Sequence, residues 1–114
     1  MNLQATTRKS DDVTILDLKG RATIDAGNDV LAFELRRLLD SGAQRLLVNL
    51  AGLTQMDSSG ISTLVRTFLA LRRAGGSLKL VAPTGRVRQV LSVARLLGVI
   101  PTFDDEATAL ASFR

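Results

Sequence analysis

Met56-Asp57-Ser58-Ser59-Gly60-Ile61 sets a carboxylate, two hydroxyls and a glycine side by side between an apolar run and a helical pattern. These residue types supply turn geometry and side-chain oxygens for the unpaired N–H groups of a first helical turn. Ser58 or Ser59 as the N-cap would contribute about 1 kcal/mol to that helix. Elsewhere the chemistry open to the chain is narrow. It contains no His, Cys, Trp or Tyr, so the commonest general base, the thiol nucleophile and the usual transition-metal ligands are missing. A disulfide framework and a zinc knuckle are excluded on the same ground. No glycine-rich loop with a lysine cradles a phosphate, and Thr84-Gly85-Arg86 is too short to do so. Composition thus disfavours most enzymes, and no catalytic residue, cofactor or metal site is expected.

The elements that must position this stretch follow from periodicity. Arg45 to Leu50 is apolar except for Asn49, the pattern of a strand buried on both faces. Ile61, Leu64, Val65, Phe68 and Leu69 recur at helical spacing, so the polar loop delivers a strand into a helix N-terminus. Before it, Leu3–Lys9 and Val13–Leu18 are joined by Ser10-Asp11-Asp12 and read as an antiparallel hairpin, with Gly20 ending the second strand. After an irregular Arg21–Gly27, Asn28 or Asp29 can cap a helix with the inward stripe Leu31, Leu35, Leu38 and Leu39, stopped by Gly42. Phe33 lies off that stripe: an aromatic on the outer face would mark a contact surface, and the expected alternative is a wider buried arc that covers it.

Downstream, Ser77–Ala82 leads past Pro83 and a Thr84 cap into a helix carrying Val87, Val90, Leu91, Ala94 and Leu97, closed by Gly98. Val99–Phe103 leads into a last helix, with Asp104, Asp105 and Glu106 in its first turn, where the dipole favours negative charge, and Ala107, Leu110 and Ala111 inward. Strands alternating with helices imply right-handed crossovers and parallel pairing. The expected fold is α/β: one domain over residues 1–114, with a mixed central sheet, an antiparallel hairpin followed by parallel strands, and about four α-helices. In such open sheets, sites gather at the carboxyl ends of strands, where Asp57 to Gly60 falls.

At 114 residues and 46% hydrophobic content the chain has enough material for one proper core. No apolar run approaches the roughly 20 residues of a membrane span, and no signal-peptide pattern opens it, so a cytoplasmic protein is expected. The net charge of +4 raises nucleic acid as a partner. However, Arg36-Arg37, Arg72-Arg73 and the group Arg86, Arg88, Arg95 fall on three separate helical patterns with no aromatic residues interleaved to stack bases. They read as solvated faces, and neither nucleic acid nor a membrane is an expected partner.

Asp57-Ser58-Ser59-Gly60-Ile61 with its amphipathic helix, Gly75-Gly76 and the strand Leu78-Lys79-Leu80-Val81 resembles the anti-sigma-factor antagonists of bacteria, single-domain members of the STAS fold family. The resemblance runs from the opening hairpin to the last helix. It implies a non-enzymatic module that binds an ATP-dependent anti-sigma-factor serine kinase and so frees a sigma factor. It also implies phosphorylation of the serine directly after the aspartate, here Ser58, with a PP2C-like phosphatase to reverse it. By the same resemblance Asp57 would support recognition by the kinase, Ser59 would shape the turn and Gly60 would let the partner's backbone approach, within a contact set of Met56, Asp57, Ser58, Ser59, Gly60 and Ile61. Many relatives carry an acid two or three positions after the glycine equivalent to Gly20. This chain has Arg21-Ala22-Thr23-Ile24 there and delays its acid to Asp25, which the resemblance would make a substitute contact. The family also includes scaffold subunits of stress-sensing complexes and small subunits of lipid-transporting ABC systems, for which binding would ignore the state of Ser58. A response-regulator receiver is disfavoured, because none of Lys9, Lys19 and Lys79 stands where its lysine is needed.

A phosphate on Ser58 would bring close to two negative charges and three acceptor oxygens to a helix N-terminus beside Asp57. The helix end favours an anion by up to about 1 kcal/mol, while Asp57 repels it. The fold should survive, because the charge lands in solvent. A docked partner should not, because burying an unmatched dianion costs several kcal/mol and each ~1.4 kcal/mol is about tenfold in affinity.

Overall fold

The computed structural model describes residues 3–114, so the first two residues of the expected 1–114 domain lie outside it. Two antiparallel strands open the chain, β1 (Leu3–Ser10) and β2 (Val13–Ala22), with Leu3 opposite Gly20 and Ser10 opposite Val13. Helix α1 (Asn28–Asp40), strand β3 (Arg45–Met56), helix α2 (Ser58–Arg73), strand β4 (Ser77–Val81), helix α3 (Gly85–Val93), strand β5 (Thr102–Phe103) and helix α4 (Glu106–Ala111) follow. The sheet order is β1-β2-β3-β4-β5, with every pair after the hairpin parallel. The mixed α/β architecture with four helices is the one that the alternating patterns imply.

Each strand presents alternate residues to its two faces. Leu16, Leu46, Val48, Leu78 and Leu80 meet Leu31 and Leu35 of α1, Leu64 and Phe68 of α2, and Val87 and Leu91 of α3 in the larger core. Val13, Ile15, Leu47 and Val81 meet Ala109 and Phe113 on the other face, which α4 covers. Leu46 to Leu50 of β3 is therefore buried on both sides, as its near-continuous apolar run requires, whereas Ala51, Gly52 and Thr54 beyond it are exposed.

Several boundaries differ from expectation. Strand β2 does not end at Gly20 but runs to Ala22 through two register shifts against β3. Strand β3 runs to Met56, six residues beyond Leu50, because pairing with that extension of β2 outweighs the weak strand preferences of Ala51 and Gly52. The N-cap of α1 is Gly27, at φ +87°, and neither Asn28 nor Asp29. A Cβ there would sit 1.9 Å from the Arg21 carbonyl oxygen, so only glycine makes this turn. Helix α3 stops at Val93, and Arg95 at φ +61° follows it, so Ala94 is exposed rather than inward and Gly98 closes nothing. Val99 is exposed and only Thr102–Phe103 pairs with β4. On α4 the inward residues are Ala109 and Leu110, backed by Phe113 beyond the helix end, while Ala107 and Ala111 face solvent. On α2, Leu69 is 41% exposed and the buried stripe includes Thr63 and Thr67. Phe33 is 65% exposed, so no wider arc covers it.

Candidate functional site

The junction between β3 and α2 is shorter than a loop. Only Asp57 separates the two elements, and Ser58, Ser59, Gly60 and Ile61 form the first turn of the helix. Asp57 is the N-cap, in extended conformation at φ −115° and ψ −170°, a role expected of Ser58 or Ser59. One carboxylate oxygen accepts the Ser59 N–H at 3.0 Å and the Ser59 hydroxyl. The other accepts the Ile24 N–H at 2.9 Å. The side chain thus clips the β2–α1 connection to the start of α2. The bond from the Ser59 hydroxyl, followed by that from the Ile24 N–H, holds the Asp57 carboxyl below the usual carboxylate range.

This clip makes the two serines chemically unequal. The Ser59 hydroxyl is engaged by Asp57 and the residue is half-buried. Ser58 is exposed at the first helical position, and its hydroxyl makes no hydrogen bond among the described residues. Its neighbours are the free N–H end of the α2 dipole and one carboxylate already bonded elsewhere.

The remaining expected contacts divide into supporting and exposed residues. Met56 is 5% exposed and belongs to the larger core, and Ile61 is partly buried against it. Gly60 is buried, and a Cβ on it would lie 2.8 Å from the Ala22 carbonyl oxygen and 3.0 Å from Met56 Cγ. Close packing inside the domain therefore requires this glycine, independently of the expected approach of a partner's backbone. Asp25 is exposed and accepts the Thr23 hydroxyl at 2.6 Å. It directly follows Ile24, so the clip brings its turn alongside the serines.

Other residues at this end escaped the sequence reading. Ile24 is 81% exposed and Val93 77% exposed. Val93 and Val90 line a groove between α3 and the start of α2 that also takes in Ser58 and Ile61, and Arg86 and Gln89 line an adjoining hollow with Asp57. The available signals were an isoleucine inside a polar connection and a valine off the Val87–Leu91 stripe. Ile61, Val90 and Val93 give the free serine an apolar surround, which suits a protein surface better than a small polar substrate. No group of three His, Cys, Asp or Glu able to hold a metal occurs among the described residues, and no helix there is long and apolar enough to cross a membrane.

Comparison with known proteins places the fold and the family. The anti-sigma F factor antagonist of Paenibacillus polymyxa is 26% identical over a 115-residue alignment covering 96% of this chain and 94% of that protein. The crystal structure of an anti-sigma factor antagonist from Mycobacterium paratuberculosis matches with a TM-score of 0.89 at 16% identity, over 97% of this chain and 93% of that one. The Bacillus cell fate determinant SpoIIAA, solved in its phosphorylated form, matches with a TM-score of 0.72 at 19% identity, over 97% and 100%. The STAS domain model spans residues 4–109, from the hairpin through the β3–α2 junction and into α4. The chain belongs to the STAS domain family.

Proposed function

We propose that this protein is an anti-sigma-factor antagonist that works by partner switching. Unmodified, it binds an anti-sigma-factor serine kinase and so frees a sigma factor. Phosphorylation of Ser58 by that kinase releases it, and a PP2C-like phosphatase would restore the binding form. ATP belongs to the kinase, and the antagonist itself performs no catalysis. The observation that carries the reading is the inequality of the two serines: Ser58 exposed with a free hydroxyl, Ser59 bonded to Asp57. The curated relative named as an anti-sigma F factor antagonist, and the solved relative with a phosphorylated form, support the same reading.

The mechanism follows from where the charge would fall. Ile24, Ile61, Val90 and Val93 supply the apolar contact that a docked partner would cover, with Asp25 at its edge. A phosphate on Ser58 would sit inside that contact beside the ionised Asp57, unmatched unless the partner supplies cations. Burying it would cost several kcal/mol, enough to weaken binding by two orders of magnitude or more. The domain stays folded, because Ser58 is exposed and its hydroxyl makes no hydrogen bond among the described residues.

Affinity capture from a lysate of the native host, with wild type, Ser58→Ala and Ser58→Glu as baits, tests this. A kinase-like ATPase held by the first two and lost with glutamate is expected, with phosphate mapped to Ser58 and not Ser59. Equal retention by all three baits would overturn the switch and favour a phosphorylation-independent scaffold.

A further inference from the structure

We propose that the groove between α1 and α2 is a second docking surface, and that its occupant is an acidic amphipathic helix of a protein partner. On α2 this groove is lined by Thr63, Arg66, Thr67 and Ala70, none of which lines the groove that Ser58 and Ile61 share with α3. The floor of the α1–α2 groove is uncharged and mostly small, formed by Ala32, Leu39, Thr63, Thr67 and Ala70. The threonine hydroxyls are bonded to carbonyls within α2, Thr63 to Ser59 at 3.0 Å and Thr67 to Thr63 at 2.8 Å, so the floor makes no unmet polar demand. Such a floor admits the close approach of a helix backbone and its apolar stripe. Phe33 on α1 and Leu69 on α2 do not line the groove, but at 65% and 41% exposure they are apolar area that folding leaves uncovered on its two helices.

Charge selects the occupant. Arg36 and Arg66 line the groove from opposite helices. The Arg36 side chain is 77% exposed, with only a 3.4 Å contact to Asp40, and Arg66, which donates to the Thr63 hydroxyl at 3.4 Å, has no carboxylate within salt-bridge distance among the described residues. Over its 16 residues α2 carries Arg66, Arg72 and Arg73 and no acid at all. Two arginines across an apolar floor match the acidic flanks of one amphipathic helix. They are too few and too widely interrupted to follow a nucleic-acid backbone or hold an anionic membrane. This surface is separate from Ser58, so its occupancy does not depend on the state of that serine.

The test uses a synthetic amphipathic peptide with leucine at every third or fourth position, glutamate on both flanks and a single tryptophan. Since the protein has no Trp or Tyr, the peptide's fluorescence is read without background. Saturable binding is expected, with backbone amide shifts gathered on Ala32–Leu39 and Thr63–Ala70. The doubly reversed variant Arg36→Glu/Arg66→Glu should bind at least tenfold more weakly, whereas Ser58→Glu should bind as wild type. Both arginines are exposed, and an unchanged unfolding midpoint checks that the variant is folded. The proposal is overturned by no binding at about 1 mM peptide, by equal binding of a peptide with lysine in place of glutamate, or by shifts gathered around Ser58 and Val93. Phosphatidylglycerol vesicles or a DNA duplex binding where the peptide does not would also overturn it.

Discussion

Asp57 is the residue on which the candidate site turns, because its two carboxylate oxygens serve different elements, Ser59 on one side and Ile24 on the other. Replacing it with alanine removes an N-cap and leaves the Ile24 N–H without its acceptor, and should cost about 1–2 kcal/mol near neutral pH. The carboxyl is held below its ordinary value of 3.8, so the stability it contributes is fully present above that value. It is lost as pH falls through the lower native one. Urea unfolding of wild type and Asp57→Ala between about pH 6 and about pH 2 should therefore show the difference between them shrinking in acid. A difference that stays constant would mean that the charged form is not what the site rewards. Ser58→Glu, in contrast, should unfold within about 0.5 kcal/mol of wild type, since it changes only an exposed position beside a helix end that favours negative charge. A larger loss in the same urea titration would mean that the switch acts on folding as well as on docking.

At the level of elements, the β3–α2 junction depends on a close approach that glycine alone permits. Gly60→Ala gains helix propensity of roughly 1 kcal/mol but sets a methyl group 2.8 Å from the Ala22 carbonyl oxygen, a backbone atom of paired β2. The clash should win, with a net loss of about 1–3 kcal/mol in thermal or urea unfolding. Gly98→Ala, at a position with nothing within 4 Å, should be near neutral and serves as the control. Positions like Gly60 explain what the sequence could and could not disclose. The Asp-Ser-Ser-Gly run marked the strand-to-helix junction, and the stripes Leu31–Leu35–Leu38 and Leu64–Phe68 located two helices, because local periodicity encodes a buried face directly. The extension of β3 to Met56 was hidden, because its cause is the pairing of a distant strand and not the preferences of Ala51, Gly52 or Thr54. The N-cap was misplaced by one or two residues because Asp57 and both serines have similar capping tendencies, and the folded contacts of Asp57 with the Ser59 and Ile24 N–H groups decide among them. Ile24 and Val93 could not be known to be exposed until the fold fixed which faces α1, α2 and α3 turn inward.

The whole molecule is a sheet with unequal cover, three helices on one face and the short α4 on the other. Six residues of helix cannot hold themselves in place, and the structure supplies a polar clamp as well as the Phe113 contact. Arg8 of β1 donates to both oxygens of Asp17 on β2, at 2.6 and 3.0 Å, and to Glu106 at the start of α4. Asn49 of β3 donates to Asp17 at 2.8 Å. The Arg8 guanidinium is the main reason that both carboxyls lie below their ordinary values of 3.8 and 4.5. Their contribution is therefore present above those values and fades as pH falls through the lower native ones. Arg8→Leu removes the shared cation and leaves Asp17 and Glu106 repelling each other. Because the Arg8 and Glu106 side chains are 45% and 38% exposed, solvent screening holds the global loss to about 1 kcal/mol, smaller still in high salt. The local effect should be greater: amide exchange in Glu106–Ala111 should accelerate at neutral pH, while the amides of α1 and α2 keep their protection. Acid should narrow the gap between variant and wild type, since protonating the two carboxyls abolishes the repulsion that the variant suffers. Unchanged exchange in α4 would mean that Phe113, with the Lys79 ammonium 2.9 Å from the Ser112 carbonyl, holds the helix unaided. Because α4 and the Ser58 groove lie on opposite faces of the sheet, loosening the clamp should leave partner capture at Ser58 as in wild type. A loss of capture in Arg8→Leu would show that the two faces are coupled through β2 and β3, the strands that carry both Asp17 and the approach to Asp57.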